Sequence, residues 1–278
     1  RQEISSNGTS SASPVLPLVT LREASAASAR AEFELDVLEG LSRPQKALSS
    51  IYFYDDIGSV LYQKITELPE YYPTRTEQSI LSQHASDMVA KEFTGAGKVN
   101  LVELGAGDGR KTRVLIHKML EAGVDFEYVP IDISRKAIEE LASRMAKDVE
   151  DAGGKLRCLG IVGDNADGLR WLRENRPGRR NVVLFLGSSI GNFDGPSSRK
   201  FLRRIYQFLD SGDKMLIGFD LKKDPAKLQP AYDDSRGVTR EFNINLLRRM
   251  NIELGADFDL NGFYHMASFN PYIGAMES

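Results

Sequence analysis

The apolar residues of this chain follow two different periods, and the change between them divides the sequence. From about residue 24 to 95 they recur every three or four positions, in RAEFELDVLEGL, GSVLYQKITEL and TEQSILSQHASDMVAKEF, which predicts helices. Beyond this point short apolar or β-branched runs alternate with amphipathic helical segments. The runs are KVNLVELG, FEYVPIDIS, LRCLGIVGD, NVVLFLG and DKMLIGFD. Such alternation predicts an α/β fold in which helices cover both faces of a parallel sheet.

The same pattern predicts four stretches of chain. Residues 1–20 are rich in serine and lack a helical period, which is typical of a flexible or extended arm. We expect residues 96–220 to form the sheet domain, and residues 21–95 and 221–278 to form the two parts of a second lobe. Thr74 and Glu77 have the spacing of a capping box and predict a helix start there. The NPYIG segment at 270–274 predicts a turn.

Composition narrows the possible functions. A hydrophobic share of 41% in 278 residues can fill a sizeable core, and 36 basic against 39 acidic residues leave no basic surface for nucleic acid. A single cysteine, Cys158, excludes an internal disulfide, and we find neither a signal peptide nor an apolar run that would span a membrane. We therefore expect a cytoplasmic protein. The three histidines lack metal-ligand spacing, so no metal site is predicted.

A glycine-rich loop follows the first predicted strand of the sheet domain. In LVELGAGDGRKT, Gly105, Gly107 and Gly109 stand between a strand and a helix, where glycine allows a tight turn and a close approach of backbone to ligand. Nicotinamide and flavin proteins carry G-x-G-x-x-G at this place. Here the spacing is G-x-G-x-G behind an acid, Glu103, which favours a binder of S-adenosylmethionine over a dinucleotide binder.

Three further strand ends carry polar side chains that could bind ligands, since ligands of open parallel sheets bind at the carboxyl ends of the strands. Asp132 could accept hydrogen bonds from ribose hydroxyls, or it could cap the following helix. Asp164, beside Asn165, could accept from an adenine amino group, or it could be a turn aspartate. Asn192 could hold a polar substrate through both its donor and its acceptor, or it could belong to a turn next to Gly191.

Four segments together resemble a known enzyme family. FYDDIGSVLYQKITELPEYYPTRTE, LVELGAGDGRKT, LGSSIGN and AYDDSRGVTREFN are similar to segments of the histidine-specific α-N-methyltransferases of ergothioneine biosynthesis, in the same order from about residue 40 to 270. The fungal dimethylallyltryptophan N-methyltransferases resemble the chain less well. The resemblance implies a Rossmann-like class I methyltransferase sheet, S-adenosylmethionine as donor with S-adenosylhomocysteine as product, and L-histidine as a small-molecule acceptor that is trimethylated to hercynine.

The resemblance also implies roles for single residues. Tyr54 of FYD lies near the substrate amine and can take up or relay its proton, and it is expected to be catalytic together with Asn192. Tyr71, Gly187 and Tyr232 complete the predicted substrate-binding set. The predicted donor-binding residues are Gly105, Gly107, Lys111, Asp132, Asp164 and Asn165, although the family usually has a bulkier residue than Asn165 after the aspartate.

One family feature is missing from the chain. The resemblance implies a T-E-x-S segment whose glutamate and serine recognise the imidazole of histidine, and no such segment occurs in the 278 residues. We expect that the chain is cut short; loss of the side-chain reader is the alternative. Two further interpretations stay open: α-N-methylation of another amino acid, and a non-catalytic module that binds S-adenosylmethionine.

Overall fold

The structure is a computed structural model that describes residues 17–21, 26–93, 95, 97–153 and 155–278. Its contacts divide the chain into two compact units. The first unit, which we call the sheet unit, comprises Arg1–Glu23 and Glu77–Phe219. The second, which we call the helical unit, comprises Ala24–Thr76 and Asp220–Ser278. A discontinuous second unit built from both flanking segments agrees with the predicted fold class.

The sheet unit contains a parallel sheet of seven strands within the described residues. The order is β1-β5-β3-β2-β6-β7, with β4 paired to β3 beside β5. The predicted α/β class is thereby confirmed. The strands are β1 (Leu18–Thr20), β2 (Val99–Leu104), β3 (Phe126–Asp132), β4 (Arg157–Cys158), β5 (Gly160–Val162), β6 (Arg180–Phe185) and β7 (Lys214–Ile217).

Two apolar clusters cover the two faces of this sheet. On β2, Leu101 packs into one cluster and Val102 into the other, as the two-residue period of a strand requires. Residues of α3 (Tyr72–Glu92), α4 (Arg110–Glu121) and α5 (Arg135–Asp151) fill the first cluster. Residues of α6 (Asn165–Asn175) and α7 (Gly195–Tyr206) fill the second. Both faces of the sheet are therefore covered by apolar side chains, which explains why these strands are mainly apolar in the sequence.

Three expectations from the sequence differ from the structure. Residues 1–16 of the predicted arm lie outside the described residues, but Leu18–Thr20 form the edge strand β1, because Val19 and Leu21 pack on the second cluster. The helical lobe was expected to reach residue 95, whereas the sheet unit starts at Glu77, since Leu81 and other residues of α3 pack on the sheet. The predicted capping box is wrong, because α3 already starts at Tyr72.

The helical unit has two small cores of its own. In one, Phe33 and Val37 of α1 (Ala26–Ser42) pack on α9 (Val238–Leu254). The other joins α2 (Asp56–Thr66), the start of α3, α8 (Pro225–Tyr232) and α9. A hairpin of β8 (Ser268–Asn270) and β9 (Ala275–Glu277) follows, and the predicted NPYIG turn joins its strands.

Cys158 lies on β4 and is buried. Burial raises the pKa of its thiol to about 12.

No helix in the described part of the chain is long and apolar enough to cross a membrane. Among the same residues, no group of three or more His, Cys, Asp or Glu side chains is placed to hold a metal ion.

Candidate active site

The glycine-rich loop leaves space for a ligand against its backbone. Gly105 and Gly107 adopt φ angles of 66° and 55°, and a Cβ atom added to either would meet no described heavy atom within 4 Å. Gly109 has a different reason to be glycine, because a Cβ there would lie 2.5 Å from Cδ1 of Leu141. The first two glycines thus open the loop to a ligand, while the third allows α4 and α5 to pack closely.

Glu103, the acid before this loop, faces the core rather than the loop. It is 3% exposed, and its carboxyl accepts hydrogen bonds from the hydroxyls of Thr112, at 2.7 Å, and Tyr128. Burial raises the pKa of Glu103 to about 7, although both hydroxyl donors oppose the change. Glu103 therefore holds α4 and β3 together at the start of the loop.

Asp132 ends β3, and it is not the cap of the next helix. Ser134 caps α5, because its hydroxyl accepts a hydrogen bond from the backbone N–H of Ala137 at 3.1 Å. The Asp132 carboxylate accepts one from the backbone N–H of Ser134 at 2.9 Å. Burial raises the pKa of Asp132. The carboxylate is thus fixed at the carboxyl end of its strand, and the capping alternative is removed.

Asp164, just after β5, already has structural partners. It caps α6, and its Oδ1 accepts hydrogen bonds from the backbone N–H groups of Ala166 at 2.9 Å and Asp167 at 3.4 Å. Arg204 of α7 forms an ion pair with the same oxygen at 3.0 Å. Asn165 is the first residue of α6. A ligand that used Asp164 would share the carboxylate with these partners.

Lys111 and Gly187 meet at one carboxylate, that of Glu77. The Lys111 Nζ lies 2.5 Å from Glu77 Oε2. The backbone N–H of Gly187 donates to both carboxylate oxygens, at 2.8 Å and 2.9 Å. Sequence reasoning missed Glu77 because it assigned this residue to a capping box. A usable signal existed, since Glu77 stands four residues before Leu81 and eight before Ala85, on the buried stripe of α3.

Asn192 lies in the loop that Gly187 begins. Gly187 and Ser188 have φ angles of 77° and 57°, and Ser188 is the one non-glycine residue with a positive φ among the described residues. The Ser189 hydroxyl donates to the carbonyl oxygen of Leu186 at 2.8 Å and closes the turn. Asn192 ends the short 3₁₀ helix that follows, and its side chain is exposed. A strained, well-tied turn thus presents the carboxamide to solvent.

The three predicted tyrosines come together in the helical unit. The Tyr71 ring is 6.0 Å from Tyr232 and 6.5 Å from Tyr62, and the Tyr62 ring is 5.4 Å from Tyr54. Phe242 also contacts Tyr54 and Tyr62. Sequence reasoning missed Tyr62 and Phe242, whose helical positions are typical of core residues. Tyr54 is 44% exposed, whereas Tyr71 is 8% exposed, so Tyr54 is the open side of the cluster.

The buried phenols of the cluster stay protonated. Burial raises the pKa of Tyr232 to about 12, and it raises the pKa of Tyr71 well above its usual value. At neutral pH both side chains are hydroxyls that can donate or accept, with ring faces that attract cations.

Two contacts fix the position of Tyr54. Its neighbour Asp55 caps α2 by accepting a hydrogen bond from the Gly58 backbone N–H at 2.7 Å. The buried side chain of Asn245, on α9, donates to the same oxygen at 2.9 Å. In the FYDD motif, Tyr54 is therefore held in place by its neighbour Asp55, whose carboxylate both caps α2 and accepts a hydrogen bond from Asn245.

The adjacent tyrosines of YYPT have different partners. Tyr71 packs in the cluster, whereas the hydroxyl of Tyr72 donates to Asp220 and accepts a hydrogen bond from Lys223 at 2.9 Å. Arg75 donates to the carbonyl oxygens of Leu68 at 2.6 Å and Tyr71 at 3.3 Å. The proline-rich LPEYYPTR stretch thus turns into the start of α3, and its own arginine holds the backbone of that turn.

Tyr232 is held at the end of α8. The side chain of His265 is almost fully buried, and its Nε2 lies 2.7 Å from the carbonyl oxygen of Tyr232, so this nitrogen carries the hydrogen and donates it. The carboxylate of Asp234 accepts hydrogen bonds from three backbone N–H groups at the start of α9, those of Arg236, Val238 and Thr239. The AYDD motif therefore ends one helix and begins the next with fixed geometry.

Comparison with known proteins gives a consistent result. Residues 33–278 match the sequence profile of a family described as histidine-specific, S-adenosylmethionine-dependent methyltransferases. The chain is 39% identical to histidine N-alpha-methyltransferase of Mycolicibacterium smegmatis, over 87% of this chain and 72% of the relative. It is 34% identical to ergothioneine biosynthesis protein 1 of Neurospora crassa over 78% of this chain and 24% of that protein. Identity is 28% to 4-dimethylallyltryptophan N-methyltransferase of Claviceps purpurea, over 79% of this chain and 63% of that one.

Proposed function

The chain belongs to the family of histidine-specific, S-adenosylmethionine-dependent methyltransferases, and from this premise we propose that it methylates the α-amino nitrogen of L-histidine. The product after three methyl transfers is hercynine, and this conversion is a step of ergothioneine biosynthesis. The family match over residues 33–278 carries the proposal. The lower identity to the dimethylallyltryptophan enzyme, 28% against 39%, favours histidine over that acceptor. We expect the reaction to need no metal and to take place in the cytoplasm.

The carboxyl edge of the sheet unit suits the methyl donor. When bound, S-adenosylmethionine supplies a methyl group on a positively charged sulfur. We assign donor binding to Gly105, Gly107, Lys111, Asp132, Asp164 and Asn165. The open space over the first two glycines and the fixed carboxylate of Asp132 support this assignment. Asp164 has the weakest support in the set, because α6 and Arg204 already use its carboxylate.

We assign acceptor binding to Tyr54, Tyr71, Gly187, Asn192 and Tyr232. The attacking nitrogen must be a neutral amine, since its lone pair forms the new N–C bond as the C–S bond breaks. A free α-amino group is partly neutral near pH 8, so no strong base is required. Asn192 can hold the head group through its carboxamide, but it cannot take up a proton. Positioning therefore contributes more to the rate than acid–base chemistry.

Tyr54 suits repeated transfer to one nitrogen. Its hydroxyl can accept an N–H of the amine and pass the released proton to water. The first two transfers each replace one N–H by a methyl group and release a proton. The third adds a methyl group to the lone pair of the tertiary amine and releases no proton, so a fixed positive charge remains that ring faces attract but that offers no N–H to a hydroxyl. The trimethylated product should therefore bind more weakly than the dimethyl intermediate, and the enzyme should be processive. Tyr54→Phe should slow the reaction and let intermediates accumulate.

The deciding experiment incubates the protein with S-adenosylmethionine and each amino acid separately, and detects one, two or three added methyl groups by mass spectrometry. Histidine alone should gain methyl groups, and histidine with a blocked α-nitrogen should gain none. Methylation of another amino acid instead would transfer the proposal to that substrate. Donor binding without any methyl transfer would leave a non-catalytic binding module.

A further inference from the structure

We propose that Glu77 is a positioning residue, which acts on the methyl donor through Lys111 and on the acceptor through Gly187. This inference rests on the proposed function, because that function assigns Lys111 to the donor and Gly187 to the acceptor. Glu77 belongs to neither set. Its carboxylate nevertheless joins them, with Lys111 Nζ at 2.5 Å and the Gly187 backbone N–H at 2.8 and 2.9 Å.

The fold builds a niche for this carboxylate. A Cβ added to Gly218, just past β7, would lie 2.0 Å from Glu77 Oε1, and one added to Gly187 would lie 3.2 Å from Lys111 Nζ. Glycines after two neighbouring strands thus leave room for a carboxylate and an ammonium group. The exposed fractions of the Glu77 and Lys111 side chains are 16% and 23%. A largely buried pair of this kind is costly to break, because either partner alone is an uncompensated charge.

The position of the Glu77 carboxylate has one consequence for Lys111 and another for Gly187. A lysine ammonium stands on a stem with four rotatable bonds, and its pairing with Glu77 selects one position for it. On the other side, the Gly187 N–H is anchored where Gly187 and Ser188 are both left-handed, at φ 77° and 57°. A non-glycine residue holds this conformation only when its surroundings enforce it. Glu77 supplies one such constraint at the base of the loop that carries Asn192.

A double-mutant cycle tests the link to the donor. Affinity for S-adenosylhomocysteine is measured by calorimetry for the wild type, Glu77→Gln, Lys111→Gln and the double variant. We expect Glu77→Gln to weaken binding about tenfold, as for loss of a hydrogen bond to a charged group. The double variant should bind within about twofold of Lys111→Gln alone, because Glu77 acts through that lysine. Effects that multiply, or a Glu77→Gln variant with wild-type affinity, would overturn the proposal.

The same helix offers a matched control. Glu92, near the other end of α3, pairs with Lys214 at 3.7 Å, and both side chains are about half exposed. Glu92→Gln should keep the donor-product affinity of the wild type within twofold. Thermal unfolding of every variant separates a loss of fold from a loss of affinity, since a purely structural role would lower the melting temperature and leave the affinity of the folded protein unchanged.

Kinetics test the link to the acceptor. Glu77→Gln keeps a carbonyl oxygen that can accept the Gly187 N–H, so KM for histidine should stay within twofold of wild type. Glu77→Ala removes the acceptor as well, and KM for histidine should rise roughly tenfold. Equal KM values for the two variants would overturn the role at Gly187. A wild type that binds S-adenosylhomocysteine but methylates no amino acid would refute the proposed function alone, and the binding cycle would still decide the role of Glu77 at Lys111. A wild type without donor-product affinity would refute both.

Discussion

Aspartates at neighbouring strand ends show that one residue type serves different purposes within one sheet. Asp132 ends β3 and accepts backbone hydrogen bonds from the turn that follows, whereas Asp164 follows β5, caps a helix and pairs with Arg204. The sequence predicted both as donor-binding residues, since it shows which residues end strands. It does not show which carboxylates other side chains already use, because Arg204 lies forty residues away from Asp164.

Asp132→Ala should weaken the affinity for S-adenosylhomocysteine by about 1–3 kcal/mol, the cost of leaving buried hydroxyls of a ligand without an acceptor. Calorimetry provides the measurement. The control is Asp125→Ala, at the amino end of the same strand, where Asp125 pairs with Arg157 and is half exposed. Equal affinities of the wild type and the Asp132 variant would remove this residue from the site.

Glu103 predicts a pH dependence of stability. Its pKa in the folded protein is raised to about 7 from 4.5, so folding favours the neutral acid. The stabilisation is complete below about pH 4.5 and is lost as the pH rises to about 7. Over this range the wild type should lose about 3 kcal/mol of unfolding free energy relative to Glu103→Gln.

Urea denaturation at pH 5 and pH 8 measures this difference. Glu121→Gln is the matched control, because Glu121 lies at the exposed end of α4 and pairs only weakly with Lys118. Wild-type and Glu103→Gln stabilities that change in parallel with pH would show that Glu103 is ionised in the folded protein at both values.

At the scale of elements, helix starts were the least predictable feature. The 76–93 run and its apolar period predicted α3, but the helix starts at Tyr72, inside a stretch with two prolines. Pro73 is compatible with this start, because the first turn of a helix needs no backbone N–H from it. The sequence pattern did not predict strand β1, because the strand is too short. Three residues carry too little periodicity to be recognised, and only their pairing with β5 makes them a strand.

The start of α9 provides a test of capping. Burial alone would raise the pKa of Asp234, but the backbone N–H donors of Thr239, Val238 and Arg236 outweigh it and lower the pKa. The charged cap therefore contributes stability at neutral pH, and this contribution is lost as the pH falls through the lowered value. Asp234→Ala should reduce the unfolding free energy at pH 7 by about 0.5–2 kcal/mol.

Chemical denaturation measures this loss, and Asp233→Ala is the control. Asp233 precedes the cap directly, is 43% exposed, and has only a distant contact of 3.9 Å with His265. An Asp234 variant as stable as the Asp233 variant would contradict the capping role.

At the scale of the whole molecule, each unit is assembled from segments far apart in the sequence. The sequence predicted the sheet and the discontinuous second lobe, because strand patterns and motif order are local signals. It placed the boundary near residue 95 rather than at Glu77, since the residues of α3 do not reveal which core they enter. The tyrosine motifs could be found from such local signals, whereas the role of Glu77 became visible only in the folded structure.

Hydrogen exchange should reflect this architecture. The central strands β2, β3 and β6 are buried on both faces, and their amide hydrogens should exchange more slowly than those of β1 and β7 at the sheet edges, by at least roughly tenfold. Mass spectrometry of peptides resolves these strands. Added S-adenosylhomocysteine should protect residues 105–109 and leave the 270–274 turn unchanged. Equal exchange in central and edge strands would contradict this prediction, because it would mean that the whole sheet opens in one cooperative step.

The buried thiol of Cys158 makes the chain convenient for fluorescence work. With a pKa of about 12 and almost no exposed surface, this thiol is a poor nucleophile toward maleimides at pH 7. A cysteine introduced in place of Tyr272, whose side chain is 96% exposed, should therefore react selectively with a maleimide dye. A reporter can thus be attached to the hairpin turn while the native cysteine stays in place.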